Sequence, residues 1–292
     1  MKFTKLNSMI HGFNPMGLPK PKKRFDVRQI MTGEAEPPFE SRSNARNEDR
    51  IRSKTLTNAT GLFDGQLGEL LSEVTEAQDH LLSPMSAFHM REARIRLTAE
   101  AMRLAVEAAK NSEDIVAFTL VPPQWAFSKV ELEQISVLDL KNQLRRWLER
   151  TKISKCSGLI YAGIHGEYDG NIFQMHFHGI ATGEKGSNLI WLKGRFGLEN
   201  SHRVPRTLKI VKVPIAKDLS DLARWATYCL QASWPYRPRF KTSEGEMRRT
   251  RKKKRLPAEE HAAFLRFMAR HNVRELLFLN GLRLGKNGLR RT

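Results

Sequence analysis

Cysteine is scarce: Cys156 and Cys229 are the only two in 292 residues. That excludes a disulfide framework and a Cys-rich zinc site, and it suits a reducing cytoplasm. Long apolar runs are missing as well. No uncharged stretch is long enough to span a bilayer, so no membrane partner is expected. The opening "MKFTKLNSMIHGFNPMGLPK" lacks the continuous apolar core of a signal peptide. No internal repeat is visible. Acids are few, 31 against 50 Lys and Arg, which leaves a formal charge of +19 and a pI near 10.2. Such a surplus opposes self-association and draws the chain to polyanions, nucleic acid first. Apolar residues still make up 40%, enough for a real core.

The chain divides by pattern. Residues 1–56, rich in Pro, Asn, Ser and charge, read as a flexible basic and polar arm. Residues 57–113 are a helical segment, with Leu- and Ala-rich stretches at i, i+3, i+4 spacing. From 114 to 235 the pattern becomes strand, helix, strand, strand, strand, helix, which is an α+β sheet domain. "DIVAFTLVPP" is a strand stopped by two prolines. "ISVLDLKNQLRRWLERTK" is an amphipathic helix with Leu140, Leu144, Trp147 and Leu148 on one stripe. Two strands flank the turn signal Asp169-Gly170, and "RTLKIVKVPI" is a fourth. "DLSDLARWATYCLQ" is a helix with Asp218 or Ser220 as its N-cap. Residues 236–292 hold a basic segment and then C-terminal helices.

The stretch "GIHGEYDGNIFQMHFHGIATG" carries the chemistry. In a strand, alternate side chains share a face. One face takes Phe173, Met175, Phe177 and Ala181 and reads as core. The other takes Ile172, Gln174, His176, His178 and Ile180, so two imidazoles sit side by side. On the preceding strand His165 and Glu167 share a face, and either comes beside the pair once the hairpin closes. Three such ligands with open positions suit a catalytic metal. A carboxylate third ligand favours Mg²⁺, a third imidazole Mn²⁺ or Zn²⁺. The bland alternative is two half-exposed histidines bonded to their neighbours.

Only four tyrosines exist: Tyr161, Tyr168, Tyr228 and Tyr236. Tyr228 lies off the buried helix stripe of Leu219, Leu222, Ala226 and Cys229, beside Arg224 and near Gln231. A phenol next to a guanidinium on a rigid helix can act as a nucleophile, with Arg224 its phosphate or phenolate partner. The plain reading is an amphipathic surface tyrosine.

In this order the elements resemble the HUH endonucleases, the single-tyrosine rolling-circle replication initiators. The apolar strand "VAFTLVP" stands for the first motif. His176-Phe177-His178 stands for the His–hydrophobic–His motif, with His165 or Glu167 nearby, and Tyr228 for the helix tyrosine. The resemblance covers roughly residues 115–235. It implies a central antiparallel sheet with flanking helices, the HUH/RRM-like palm, with helical extensions at both ends. It implies a divalent cation, Mn²⁺ or Mg²⁺, on His176, His178 and His165 or Glu167. It implies sequence-specific nicking and joining of single-stranded DNA at a replication origin of a plasmid, phage or mobile element. The product is a 5′-phosphotyrosine link and a free 3′-OH, and host helicase and polymerase are further partners. Gln231 stands where a lysine is common in the family. Trp225 at the nucleophile position, or Tyr236 as nucleophile, are alternative alignments.

Ten Lys or Arg face two Glu between Tyr236 and Arg255. Such a run is usually a solvated, mobile stretch. As a DNA surface it offers Trp234, Tyr236, Arg237, Arg239, Lys241, Arg248, Arg249, Arg251, Lys252, Lys253, Lys254 and Arg255. Trp125 and Trp225 are further stacking candidates with the core as their simpler place. Two other readings compete. One is a cupin-like metalloprotein, from Gly170, His176, His178 and Glu184. The other is a nucleic-acid-binding protein without catalysis.

Overall fold

In the computed structural model the described residues are 41–61, 64–74, 83–195, 208–212, 219–250, 252–285 and 288–292. The architecture is mixed α+β, an antiparallel sheet with flanking helices. Its centre is the histidine strand, β4 (Phe173–Thr182). On one side β4 pairs along its whole length with β3 (Ile160–Tyr168), from Ile160↔Ala181 to Tyr168↔Phe173. The turn between them lies at Asp169-Gly170. The Asp169 Oδ1 accepts from the backbone N–H groups of Asn171 and Ile172 at 3.1 and 3.2 Å, and Gly170 adopts φ +109°.

On its other side β4 pairs with β1 (Ile115–Leu120), up to Leu120↔Phe177. Pro122 and Pro123 then end β1, because neither has an N–H to donate. The short β2 (Ala126–Phe127) resumes the pairing opposite Gln174 and Phe173. Gln174 closes the gap with its side chain: its Nε2 donates to the Pro122 carbonyl at 2.9 Å. The outer strands are β5 (Leu208–Lys212) on β1 and β8 (Leu277–Asn280) on β3, so the order is β5-β1-β4-β3-β8.

Helices cover both faces. On the Phe177 face lies α5 (Val137–Arg150), preceded in the chain by the one-turn α4 (Lys129–Leu132). The α5 stripe buries Val137, Leu140, Leu144 and Leu148, as its i, i+3, i+4 spacing requires. Each buried leucine contributes about 1.5–3 kcal/mol. Trp147 on α5 stacks on the buried Trp125, with ring centroids 5.4 Å apart, and Trp125 meets Phe177 edge-on at 5.4 Å. Trp125 is therefore core and offers no stacking surface. The histidine face is covered by α3 (Ala87–Lys110) and α7 (Leu219–Tyr228). The two are tied by Arg94, whose Nε donates to the Thr227 carbonyl at 2.8 Å. A short α6 (Gly183–Asn188) follows β4.

Three expectations are corrected. Within the supposed flexible arm of residues 1–56, Arg42–Thr57 form a helix, α1. It lacks a broad apolar stripe, which is why the pattern misled. Apart from buried Ala45 and Leu56, it docks through polar groups. Buried Asp49 accepts from the Ser86 hydroxyl and from the N–H groups of Ala87 and Phe88, at 2.8, 2.5 and 3.1 Å. It thus caps the start of α3. Buried Arg52 donates to the carbonyls of Met85 and Ala232. Residues 1–40 lie outside the described residues.

Second, the basic segment is not simply a mobile run. It contains a two-stranded ribbon, β6 (Arg239–Lys241) and β7 (Met247–Arg249). Third, only the first part of the C-terminal region is helical, as α8 (Ala258–Ala269). The stretch after it supplies β8, then β9 (Leu282–Gly285) and β10 (Gly288–Arg291), which pair with each other. The signal was an apolar run closed by Asn280-Gly281, with Gly281 at φ +69°. In the helical segment, α2 (Asp64–Val74) precedes α3, and residues 75–82 of the expected helix lie outside the described residues. The N-cap candidate Asp218 is likewise outside them, and Ser220 falls within α7. No helix among the described residues is long and apolar enough to cross a membrane.

Candidate functional site

The register settles which side chains share the histidine face. His165 stands opposite His176, and Gly163 opposite His178. Thr119 on β1 stands opposite His178 from the other side. Three imidazoles therefore cluster at the centre of the sheet. Ring centroids are 4.7 Å apart for His176 and His178, 5.0 Å for His165 and His178, and 5.8 Å for His165 and His176. Each ring is held from behind. His176 Nδ1 lies 3.1 Å from the Gln174 carbonyl, to which it donates. His178 Nδ1 lies 2.8 Å from the Thr119 hydroxyl. His165 bonds to the backbone of Cys229. Such supporting bonds orient imidazoles that act as ligands.

The front nitrogens face one another. His176 Nε2 and His178 Nε2 are 3.1 Å apart. Either one N–H donates to the other ring, or both lone pairs share one cation. The gap is short enough for the two side chains to hold one divalent cation together. His165 Nε2 is buried and has no hydrogen-bond partner, so it is the uncommitted nitrogen of the cluster. Among the described residues no set of three His, Cys, Asp or Glu side chains already has its donors gathered for a metal. The fit therefore rests on the His176–His178 pair, with His165 beside it.

The surroundings favour the neutral form of all three rings. Burial holds His165 well below its usual value, helped by His176. Burial does the same to His178, with His176 and His165 adding to it. His176 is lowered by burial, against the carbonyl of Gln174 and the charge of Glu167. The Lys253 ammonium lowers all three.

Glu167, the other candidate third ligand, is engaged elsewhere. Its Oε1 accepts from Arg249 Nη1 at 2.9 Å, and its Oε2 lies 3.3 Å from Arg237 Nε. Arg239 pairs with Asp169 in the same way. The carboxylates at the end of β3 thus anchor the basic ribbon beside the histidines rather than extend their ligand set.

Tyr228 is the last residue of α7 and is half-buried. Its ring lies edge-on to His178, 5.6 Å between centroids and 82° between planes. The end of α7 comes this close because of Gly163, against which the Cys229 carbonyl rests. Lys253 Nζ lies 5.7 Å from the Tyr228 ring centroid, within cation–π range. The Arg224 guanidinium lies 5.5 Å over the half-buried Trp225 ring. Tyr161 is fully buried, and burial pushes its phenol well up. Tyr168 donates to the Gly170 carbonyl at 2.8 Å and packs at a tilt against Tyr236, with ring centroids 5.6 Å apart. Among the described residues Tyr228 is thus the tyrosine whose ring is seen against a histidine of the cluster.

No family model, curated protein or solved structure matches the chain. The site is therefore read from its own residues.

Among the expected DNA contacts, Trp234 is corrected to a core residue. It is buried against Phe173, Phe264 and Phe267, and its ring fills the space left by Gly166. Lys241, Arg248, Lys252, Lys253, Lys254 and Arg255 are exposed, while Tyr236, Arg237, Arg239 and Arg249 are half-buried. Arg251 lies outside the described residues. Sequence reasoning missed Thr119 and Gly163, and it read Asp169 as a turn residue without its tie to Arg239. Thr119 had a signal, a polar residue in an otherwise apolar strand. Gly163 had none, because its role exists only once α7 is docked.

Proposed function

We propose that this chain is a metal-dependent nickase and strand transferase for single-stranded DNA, of the HUH type, with Tyr228 as nucleophile. The observation that carries this reading is the Tyr228 ring set edge-on against His178 of the histidine pair. The strand order supports it. β1 and β3 are linked by α5 with β4 inserted between them and β5 outside β1, which is a split β-α-β palm. The cupin reading loses its support, since it needs a double-sheet jelly roll. Here helices lie on both faces of one sheet.

His176 and His178 would hold a Mn²⁺ or Mg²⁺ ion, with His165 as third ligand. Bound there, the cation would polarise the scissile phosphate and ease departure of the 3′-oxygen. The chain's own groups do the rest. The end of α7 holds the Tyr228 ring edge-on to His178, which reduces the entropy lost in bringing the phenol to the phosphate. Lys253 brings positive charge where phenolate and phosphate charge develop. The Oη–P bond forms and the P–O3′ bond breaks. The phenol loses its proton and the departing 3′-oxygen takes one up. Attack by a 3′-OH on the phosphotyrosine reverses the step, so rejoining needs no nucleotide cofactor. The ribbon anchored by Glu167 and Asp169 lays arginines along the incoming strand.

The test is incubation with 5′- and 3′-labelled single strands of the genetic element that encodes the chain, with Mn²⁺ or Mg²⁺, beside Tyr228→Phe. The expected result is a denaturation-resistant adduct on the 5′ end, absent in the variant. An adduct that survives the substitution moves the nucleophile to Tyr236. Tight, salt-sensitive binding with no adduct replaces the reading with a DNA-binding protein that lacks catalysis.

A further inference from the structure

The ribbon of β6 and β7 carries more than charge. Among the described residues it exposes two large apolar side chains, Phe240 at 46% and Met247 at 61%. A surface that only neutralised phosphates would gain nothing from either. Register fixes their faces. Phe240 stands opposite Arg248, and opposite residues of an antiparallel pair share a face. Arg239, Lys241, Met247 and Arg249 take the other face. Two of these are tied down: Arg239 pairs with Asp169 and Arg249 with Glu167, both at the end of the β3 hairpin arm. The Phe240 face is thereby turned away from those carboxylates. Arg248, beside the ring, pairs with Glu246 at 2.8 Å, and both side chains are exposed. An exposed pair of this kind contributes little, so a phosphate can take its place. Glu167 lies two positions after His165 on the same face of β3, so the ribbon begins beside the histidine cluster.

An exposed ring with a guanidinium beside it fits the chemistry of an unpaired nucleotide, base on the ring and phosphate on the cation. Every base has a π-face, so such a platform needs no particular sequence. We propose that Phe240 is the stacking platform for one base of the bound single strand, with Arg248 meeting the adjoining phosphate. The proposal rests on the single-strand reading for its occupant. It adds to that reading a residue that grips a base, where the rest of the ribbon grips the backbone. Other occupants fit less well. A second copy of the chain is opposed by the formal charge of +19. A base inside a duplex is already stacked on both faces and offers none to Phe240. Glu244 and Glu246 at the turn repel phosphate, so the backbone crosses the strands of the ribbon rather than its tip.

The test separates base from backbone. Binding of the full chain to a labelled thymidine 20-mer, and to a 20-mer of abasic sites with the same phosphates, is measured by fluorescence anisotropy at fixed salt. EDTA is present, so the metal-dependent step is off. Phe240→Ala should weaken binding of the thymidine strand about tenfold. Binding of the abasic strand should change by less than about twofold, since its phosphate contacts are kept. Phe240→Leu, which keeps an apolar side chain on the ribbon, should lose as much as Phe240→Ala, and Phe240→Trp should lose nothing. A 20-base-pair duplex should bind wild type and Phe240→Ala alike. Equal losses on the thymidine and abasic strands would show that the substitution disturbs the ribbon itself, and they overturn the proposal. So does full affinity in Phe240→Ala or Phe240→Leu, or no binding of the thymidine strand. A loss confined to the duplex makes Phe240 a wedge between paired bases and overturns it too. Adduct formation is assayed separately with Mn²⁺ on the native strand. An adduct without any Phe240 effect removes the platform alone, and a Phe240 effect without an adduct removes the nicking reading alone.

Discussion

The carbonyl oxygen of Cys229 rests against Gly163 so closely that a Cβ built on that glycine would lie 1.4 Å from it. This contact sets the height of the end of α7 above β3, and with it the place of Tyr228 over His178. Gly163→Ala must push the two apart, and both sides of the contact are backbone. We expect a loss of about 3 kcal/mol in denaturant unfolding. Adduct formation should fall by about 100-fold, the order expected when a reacting group is misplaced by about 1 Å, with DNA binding largely kept. A Gly163→Ala chain with full nicking would show that the α7 register does not matter.

The histidine pair gives a second prediction. His176→Ala and His178→Ala should each abolish adduct formation while DNA affinity stays within about threefold, because in the proposed mode of binding the phosphates are met by the basic ribbon. Calorimetric titration with Mn²⁺ should show one site in the wild type and none in the double variant. Chelation should abolish nicking reversibly. Equal loss of binding and nicking in a folded variant would sink the metal role.

Glu167→Ala tests the anchor. The side chain is 17% exposed and bridges Arg237 and Arg249. Removing it should cost the ribbon about 1.4 kcal/mol of local stability, a factor of about ten in amide exchange. That change should be confined to Arg239–Lys241 and Met247–Arg249, with β3 and β4 unchanged. Unaltered protection in the ribbon would mean that its own pairing suffices.

His261 predicts a pH dependence. It is buried, with Nδ1 3.3 Å from the Thr55 hydroxyl, and so sits between α8 and α1. Burial, with Arg52 and Arg255 adding to it and Glu48 opposing, pushes its pKa down to about 4. The unfolded imidazole titrates near about 6.5. Since the folded state resists the proton, this stability is complete above about pH 6.5 and is lost as the pH falls to about 4. The loss is of order 3 kcal/mol. His261→Gln should flatten the melting-temperature profile between pH 6.5 and 4 relative to wild type. Parallel profiles would assign the acid loss to other groups.

Much of the central sheet was legible. Strand alternation placed His176 and His178 on one face, and Asp169-Gly170 marked the turn that brings His165 opposite. The stripe on α5 and the position of Tyr228 off the α7 stripe followed from the 3.6-residue period. The terminal regions were harder. α1 docks by capping and guanidinium bonds, which leave no apolar periodicity to detect. β8 is a short apolar run, ambiguous between helix and strand until an open sheet edge accepts it.

The sequence alone determined the chemistry on hand: three histidines in two adjacent strands, four tyrosines, and a surplus of positive charge at one place in the chain. Period and residue type are local properties, so they survive without a fold. Only the tertiary structure decided which of these meet. It engaged Glu167 with two arginines, left His165 Nε2 without a partner, buried Trp234, and brought Lys253 over Tyr228. Each outcome depends on segments far apart in the chain packing to contact, and no local pattern encodes the distance between them.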